Sequence, residues 1–410
     1  MSEILETVDT ARMREHNAGL LLNLIWQSKD ISRAEIARRT GLSRSTVSAI
    51  VADLIASDLV QESGAGDSRG GRRPTLLRFH DEAYTLVGIE MGASHLHVVA
   101  TDLRGRVRAE RQQEHPVVAE PQSTLALVRK LVAECLDDQP RDRLLGIGIA
   151  VPCPVYLDAP GRLCRRLMPK WIDISVTDEL RKSFGCPIYM DNDANLGALA
   201  ERWWGAGRSG EDLAFIKVAT GVGAGLIIGG QIYRGAGGTA GEIGHVAIDP
   251  RGPVCRCGLS GCLAAMVGAE PLAERARAEL HDGARSVLVP KETSLHHIAA
   301  AARDGDTLAT QLVADAGRHL GIAVAGLLNL LNPAVVVLAG PLTAAGDLLL
   351  APIRNTVQHS TLWESVARSR IQTSELGEAA IAIGAATQVL QAALENQALF
   401  PTWKAAQAVG

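Results

Sequence analysis

The sequence predicts an α/β protein with a small helical head and a body of two similar lobes. Three observations predict it. Residues 14–60 carry apolar side chains at helical spacing and lead into a Gly/Ser-rich turn and an extended segment. From residue 85, strand-like runs and amphipathic helices follow in an order that occurs twice. The chain has 410 residues, enough for two to four domains at roughly 100–200 residues each. Hydrophobic residues at 47% and charged residues at 21% are ordinary globular usage and exclude disorder over the whole length.

The elements follow in order. Leu20, Leu21, Leu24 and Ile25 form the apolar stripe of a first helix. Ser32, with Glu35 three residues on, reads as the cap of a second helix that runs to about Thr40. Gly41 ends it, and Ser43 caps a third helix over 44–57. The segment ESGAGDSRGG reads as a turn and RRPTLLRF as an extended return, which makes a β-hairpin. The first body block reads as strands TLVGIEMG, HLHVVATDL and RVRAERQQEH, a helix over 123–138, a strand over 144–151, a helix over 176–184 and a strand over 187–190. The second reads as strands over 213–219, 223–229 and 231–234, helices over 294–303 and 307–331, and a strand over 334–339. A last helix covers about 378–395. Such a duplication predicts a cleft between the lobes.

Aromatic residues are only 3% while Gly numbers 41, which suits packed aliphatic layers and tight loops rather than a base-stacking surface. The net charge of −4 is a sum of unlike parts. Residues 31–80 hold eight Arg against five acids, and residues 81–410 hold 30 basic against 35 acidic residues. The N-terminus MSEILETVDTARMREHN has no signal-peptide core, and apolar stretches such as LGIAVAGLLNLL are too short to span a bilayer. A cytoplasmic protein with no membrane partner is expected.

The span SRAEIARRTGLSRSTVSAIVADLIASDLV fits a helix-turn-helix. Ala37 allows close helix approach, Gly41 supplies the left-handed turn, and Val47 and Ile50 pack the second helix on the first. Arg44, Ser45, Thr46 and Ser48 then sit near the exposed start of the recognition helix, where such motifs meet base edges in the major groove. The hairpin wing brings Arg69, Arg72 and Arg73 to phosphates or the minor groove, and Arg33 belongs to the same basic surface. A solvated helical hairpin is the plainer reading of a lone helix pair. The turn Gly, the cap, the small residue and the basic wing together favour double-stranded DNA as partner.

Seven Cys, three of them within eight residues, argue for a metal site over a disulfide framework. In GEIGHVAIDPRGPVCRCGLSGC, His245, Cys255, Cys257 and Cys262 offer one imidazole and three thiolates. That set suits tetrahedral Zn2+, and four protein ligands make the site closed and structural. Free buried thiols are the alternative, and the default for the other four Cys.

These residues bring in a family. GEIGHVAIDPRGPVCRCGLSGCL closely resembles the signature of the ROK family (repressors, open reading frames and sugar kinases). VATGVGAGLIIGGQIYRGAGGTAGE, VPCPV, MDNDANLGALAE and LNPAVVVLAG stand in the order expected of it. With the helix-turn-helix, the resemblance covers nearly the whole chain and points to the sugar-responsive repressors, such as those for N-acetylglucosamine, glucose or xylose. It implies a winged helix-turn-helix over 1–80 and a two-lobed, actin-like ATPase (sugar kinase-like) body. The first lobe would be 81–202 plus about 390–410, and the second, with the zinc that orders the loop beside the sugar, 203–389.

The resemblance also assigns the cleft. In family kinases the Asp of an Asn-Asp pair is the base on the sugar hydroxyl; here the pair is Asn192-Asp193. Glu242 stands where the family reads neighbouring hydroxyls, and His245 can serve both zinc and sugar. Two sugar contacts are changed: Ala264 replaces a Glu, and Leu167, in RRLMPKW, an Asn. An effector altered in those hydroxyls, bulkier, or absent is expected. The nucleotide side is changed too. The family's Asp-x-Gly-Gly-Thr is here Glu90-Met91-Gly92-Ala93-Ser94, followed by His95, and a Gly-rich turn is Gly340-Pro341-Leu342. The loop Thr220–Gly225 survives, though it reads equally as a strand turn. No catalytic residue and no bound ATP are expected, because phosphoryl transfer depends on positioning and charge. The expected protein is a repressor that binds a pseudo-palindromic operator as a homodimer or tetramer under control of a sugar or sugar-derived effector. The rivals are an ATP-dependent sugar kinase with a DNA-binding head, using Asp193 as base, and a ligand-independent regulator with a vestigial cleft.

Overall fold

A computed structural model of the chain describes residues 10–65, 73–137, 141–155, 161–361 and 369–403. The head consists of α1 (Thr10–Gln27), β1 (Ile31–Ser32), α2 (Arg33–Thr40), α3 (Arg44–Ala56), β2 (Val60–Ala65) and β3 (Thr75–Phe79). Its three strands form one sheet in the order β1-β3-β2. The local chemistry acts as expected. Ser32 accepts the Glu35 N–H, Gly41 takes φ +72°, and Ser43 accepts the Thr46 N–H. The Glu35 carboxylate does not complete a capping box; it binds Arg38 and Arg39 instead. Leu20 is also placed differently from the predicted stripe. It is 44% exposed, while Leu22 joins Leu21 and Ile25 in the core, because α1 is buried on two sides. Strand β2 runs through part of the predicted turn to Ala65, with a bulge between Glu62 and Gly64.

The first lobe contains β4 (Thr85–Met91), β5 (His95–Thr101), β6 (Val107–Glu114), α4 (Pro121–Cys135), β7 (Leu144–Val151), α5 (Val176–Phe184) and β8 (Ile188–Asn192). Helix α6 (Asp193–Trp203) leads to the second lobe. That lobe contains β9 (Leu213–Val218), β10 (Val222–Ile228), β11 (Gln231–Ile232), α7 (Ala264–Val267), α8 (Ala269–His281), α9 (Leu295–Arg303), α10 (Thr307–Leu331), β12 (Val335–Ala339), α11 (Asp347–Ser360) and β13 (Arg370–Thr373). Helix α12 (Ala380–Glu395) closes the body.

The duplication is exact in topology. The sheets run β6-β5-β4-β7-β8 and β11-β10-β9-β12-β13. In each, the first three strands are antiparallel and the last two add in parallel. Helices α6 and α12 pack on each other between the sheets. Missing side chains make that layer possible. A Cβ on Gly88 would lie 1.8 Å from the Ala382 carbonyl oxygen, and one on Gly148 1.8 Å from that of Ala385. A Cβ on Gly225 would lie 2.0 Å from the Ala194 oxygen. Backbone thus lies on backbone, with α12 on the first sheet and α6 on the second. Helix α12 packs on β4 and β7, with Ala382, Ala385 and Val389 against Gly88, Gly148 and Gly146.

Head and first lobe share a core. Leu21, Ile25 and Leu54 of the head join Tyr84, Leu390 and Phe400 of the body in one buried cluster. Trp26 on α1 meets Trp203 and Trp204 at the far end of α6, with ring centroids 5.2 and 6.2 Å away. No helix among the described residues is long and apolar enough to cross a membrane.

Candidate functional site

The end of β8 turns into α6 at Asn192. Its side chain accepts the backbone N–H groups of Ala194 and Asn195, and its amide donates to the Cys153 carbonyl at 3.3 Å. Asn192 is therefore the helix cap. Asp193 is the first helical residue, where the helix dipole favours a carboxylate. Its Oδ2 accepts from the Lys217 ammonium at 2.9 Å. The same ammonium is 2.8 Å from Glu90 Oε1. Lys217 stands on β9 of the second sheet and Glu90 on β4 of the first, so one cation ties the lobes together. A second tie joins Arg234, just beyond β11, to Asp191 at 2.5 Å.

These groups are buried, and their charges hold one another. Burial alone would raise the Glu90 carboxyl, but Lys217 and the nearby His95 outweigh it and keep it at about 2. Burial would lower the Lys217 ammonium, yet Asp193 and Glu90 raise it above the usual lysine value. His95 Nε2 is 3.5 Å from Glu90 Oε1, and its ring lies over the turn at Gly92, where a Cβ would meet it at 2.3 Å. The imidazole therefore covers the turn that the sequence compares with a phosphate loop. The Thr220–Gly225 segment is the β9–β10 hairpin, and Gly225 within it serves helix packing.

On the other wall, Glu242 precedes a single 3-10 turn, Ile243–His245. Burial, and then the charge of Asp193, push its carboxyl above the usual range. His245 points Nδ1 at Cys255 Sγ, 3.8 Å away, and Nε2 toward Glu242 Oε2, 4.0 Å away. Burial, Arg256 and Arg166 together hold its pKa below the ordinary imidazole value. Cys257 and Cys262 sulfurs are 3.6 Å apart, and the four donor atoms of His245, Cys255, Cys257 and Cys262 all lie within 4.8 Å of one another. Zinc bonds of about 2.0–2.3 Å in a tetrahedron require edges of roughly 3.5–3.8 Å, so the donor set fits a metal of that kind. Gly258 and Gly261 carry the loop at φ +91° and +74°, and a Cβ on Gly261 would be 1.7 Å from the Asp249 oxygen.

Across the cleft mouth, Arg166 donates to the Cys257 carbonyl at 2.7 Å. Leu167 beside it is exposed, and Ala264 opens α7 half-buried. Lys217 and Arg234 escaped the sequence reading. The signal for Lys217 was there, a lone ammonium in the apolar strand LAFIKV.

In the head, Val47, Ile50, Val51 and Leu54 bury one face of α3, while Arg44, Ser45 and Ser48 are exposed and Thr46 is half-exposed. Ser43 Oγ is 2.8 Å from both the Ser45 and Thr46 hydroxyls. Arg73 is exposed, and Arg33 pairs with Glu62 on the wing at 3.1 Å. Arg69 and Arg72 lie outside the described residues.

Comparison with known proteins agrees with this architecture. The ROK family matches residues 86–392 and the MarR family residues 16–70. The chain is 30% identical over 389 residues to the xylose repressor of Bacillus subtilis (strain 168), covering 94% of this chain and 98% of that one. It is 30% identical over 392 residues to the DNA-binding transcriptional dual regulator NagC of Escherichia coli (strain K12), covering 94% of each. A solved ROK family transcriptional regulator, a homologue of the E. coli MLC protein, superposes with a TM-score of 0.79 at 27% identity, over 95% of this chain and 99% of that one. A ROK family glucokinase from Streptomyces griseus, solved with glucose and AMPPNP, covers 75% of this chain and 99% of its own, at 25% identity and a TM-score of 0.68. Relatives that match head and body together, and a family match spanning both lobes, show that the chain belongs to the ROK family and carries a MarR-like helix-turn-helix domain at its N-terminal end.

Proposed function

We propose that the protein is a sugar-responsive transcriptional repressor. The observation that carries this reading is the head. Helix α3 buries one face completely and offers Arg44, Ser45 and Ser48 to solvent, with no carboxylate held on Arg44 among the described residues. Those groups can donate to base edges, and Arg73 to phosphates. The names of the full-length relatives, xylose repressor and NagC, support the same reading. The operator is pseudo-palindromic and the protein binds it as a homodimer, since two heads spaced by a body match two half-sites about one helical turn apart, ~34–36 Å.

The effector enters the cleft between the lobes. Glu242 accepts hydroxyls there, Asp193 and Asn192 lie at its floor, and His245 orients Glu242. Zn2+ held by His245, Cys255, Cys257 and Cys262 supplies a fixed scaffold for this wall. Ligand that competes for Asp193 loosens the Lys217 tie between the lobes. Helix α6 runs from Asp193 to Trp203 beneath Trp26, so lobe movement reaches the head along about 16 Å of helix. A ligand shifts this equilibrium only by its difference in affinity for the two arrangements.

Phosphotransfer is not the function. A base must be free to take the hydroxyl proton, and Asp193 is bound to Lys217 while Glu90 is bound to the same cation. The test is to select genomic DNA fragments with the purified protein, then repeat the selection with sugars present. Enrichment of a palindromic site that a sugar abolishes is expected. Failure to enrich any site, or ATP-dependent phosphorylation of a sugar, overturns the reading.

A further inference from the structure

Among the described residues, the arginines without a hydrogen bond or ion pair are exposed, with one exception. Arg202, in the last turn of α6, is half-buried, and its Nε is buried without a hydrogen-bond partner. A charged donor buried without an acceptor is costly. The helix dipole favours a cation at this end of α6, but the guanidinium donates to none of the last carbonyls. The Ala200 and Glu201 oxygens accept the Trp204 and Gly205 N–H groups instead. Arg208 nearby, by contrast, holds Glu375 at 3.1 Å.

Arg202 lines a cavity of about 750 Å³ at the junction of head and body, within the roughly 300–1,000 Å³ of small-molecule pockets. Helix α1 of the head forms one wall, the ends of α6 and α12 a second, and the β10–β11 turn of the second lobe a third. That turn is bare beside the guanidinium. Gly229 and Gly230 have φ of +58° and +79°, and a Cβ on Gly230 would lie 3.6 Å from Arg202 Nη2. The amides of the lining are already satisfied, since the Leu394 carbonyl accepts from Asn23 at 3.2 Å and from Gln397 at 2.7 Å. The exposed Leu20 and the half-buried Trp203 give the same space an apolar side. Two carboxylates also belong to the lining, Glu15 and Glu395, but both are exposed and neither pairs with Arg202.

We infer that this junction binds a small organic acid with a single carboxylate and an apolar body. The carboxylate gives Arg202 the acceptor that the fold withholds, in the forked geometry that guanidinium favours. The apolar body lies on Leu20 and Trp203. Glu15 and Glu395 repel a second negative charge, which selects a monocarboxylate over a dicarboxylate. The site is separate from the cleft between the lobes, and the inference does not rest on sugar control. Because head, central helices and second lobe each supply a wall, occupancy favours this arrangement of the three over one in which α1 moves away.

Calorimetric titration of the full-length protein tests it, with phenylacetate and hexanoate compared with their neutral amides and with adipate. A monocarboxylate should bind at least about tenfold tighter than its amide, as for a charge-assisted hydrogen bond, and hexanoate tighter than adipate. Arg202→Gln, which breaks no bond within the protein, should erase the preference over the amide with the urea midpoint unchanged. Leu20→Glu, at an exposed position, should weaken both monocarboxylates as well, and it decides the matter if Arg202→Gln does not fold. Glu242→Gln in the cleft should leave their binding unchanged. No binding by either monocarboxylate, amides or adipate that bind as tightly, or undiminished binding by the Arg202 and Leu20 variants overturns the inference. Binding lost in Glu242→Gln but kept in Arg202→Gln places the acid in the cleft and overturns it too.

Discussion

Lys217 Nζ lies 2.9 Å from Asp193 Oδ2, so the carboxylate at the start of α6 is bound to an ammonium from β9 of the second sheet. The same ammonium neutralises Glu90, which is 3% exposed. Removing one partner of such a buried cluster costs more than the cluster contributes, because the charges left behind have neither water nor a counterion.

Lys217→Met should therefore destabilise the fold by about 3 kcal/mol at pH 7 in urea unfolding. The pH dependence has a definite sign. In the native protein Glu90 is held at about 2, so its contribution is present above the ordinary carboxylate value near 4.5 and is lost as pH falls toward 2. In Lys217→Met, burial then raises Glu90, and acid protonates it. The penalty relative to wild type should thus be smaller at pH 4.5 than at pH 7. A penalty that does not change with pH would contradict the assigned cluster.

Metal removal should act locally first. Cys257→Ser is expected to lose one metal per chain and to expose residues 241–262 to proteolysis, with the head's operator affinity retained when no effector is present. Elemental analysis checks the first point and limited proteolysis the second. Metal content unchanged by the substitution would refute the ligand set.

The recognition helix is separable from the cleft. Arg44→Ala should weaken operator binding by about 1–3 kcal/mol, as for loss of one base-reading side chain, with no change in effector affinity. Electrophoretic mobility shift and calorimetry on the same preparation distinguish the two. Equal operator affinity would remove Arg44 from the interface.

The proposed coupling between cleft and head passes through the tryptophans. Trp204 stacks against Trp203 and Trp26 and donates to the Thr387 hydroxyl at 2.8 Å. Trp204→Leu keeps an apolar filling but breaks the ring contacts. Effector and operator should each still bind alone, while the effector's ability to release DNA falls several-fold. Undiminished release would place the coupling elsewhere.

Close packing in the central layer gives a structural test. Gly148→Ala puts a methyl 1.8 Å from the Ala385 oxygen, which a rigid backbone cannot yield. A loss of roughly 1–3 kcal/mol or more is expected from urea unfolding. Gly283→Ala provides a contrast, since nothing lies within 4 Å there and only its φ of +95° opposes it.

Much of this protein was legible along the chain. The caps at Ser32 and Ser43, the left-handed Gly41 and the buried face of α3 are local effects of side chain on nearby backbone, and sequence spacing carries them. The His/Cys set was legible for the same reason, since four ligands within eighteen residues need only one loop to meet. Other elements were not legible. Helix α11 contains Pro352, which reads as a breaker but sits in an early turn, and the four-residue β13 exists only by pairing with β12. Strand pattern showed that Lys217 was out of place but not what it would meet. Its partners, Glu90 and Asp193, are 127 and 24 residues away and come together only when the two sheets close on α6 and α12. Sequence by itself determined the helix-turn-helix head, the His/Cys cluster and most of the strands of the two blocks, because each depends on near neighbours. Tertiary structure alone decided that Asp193 and Glu90 share one cation from the opposite sheet and that Arg234 holds Asp191. Electrostatic pairing depends on distances in space, and spacing along the chain does not encode them.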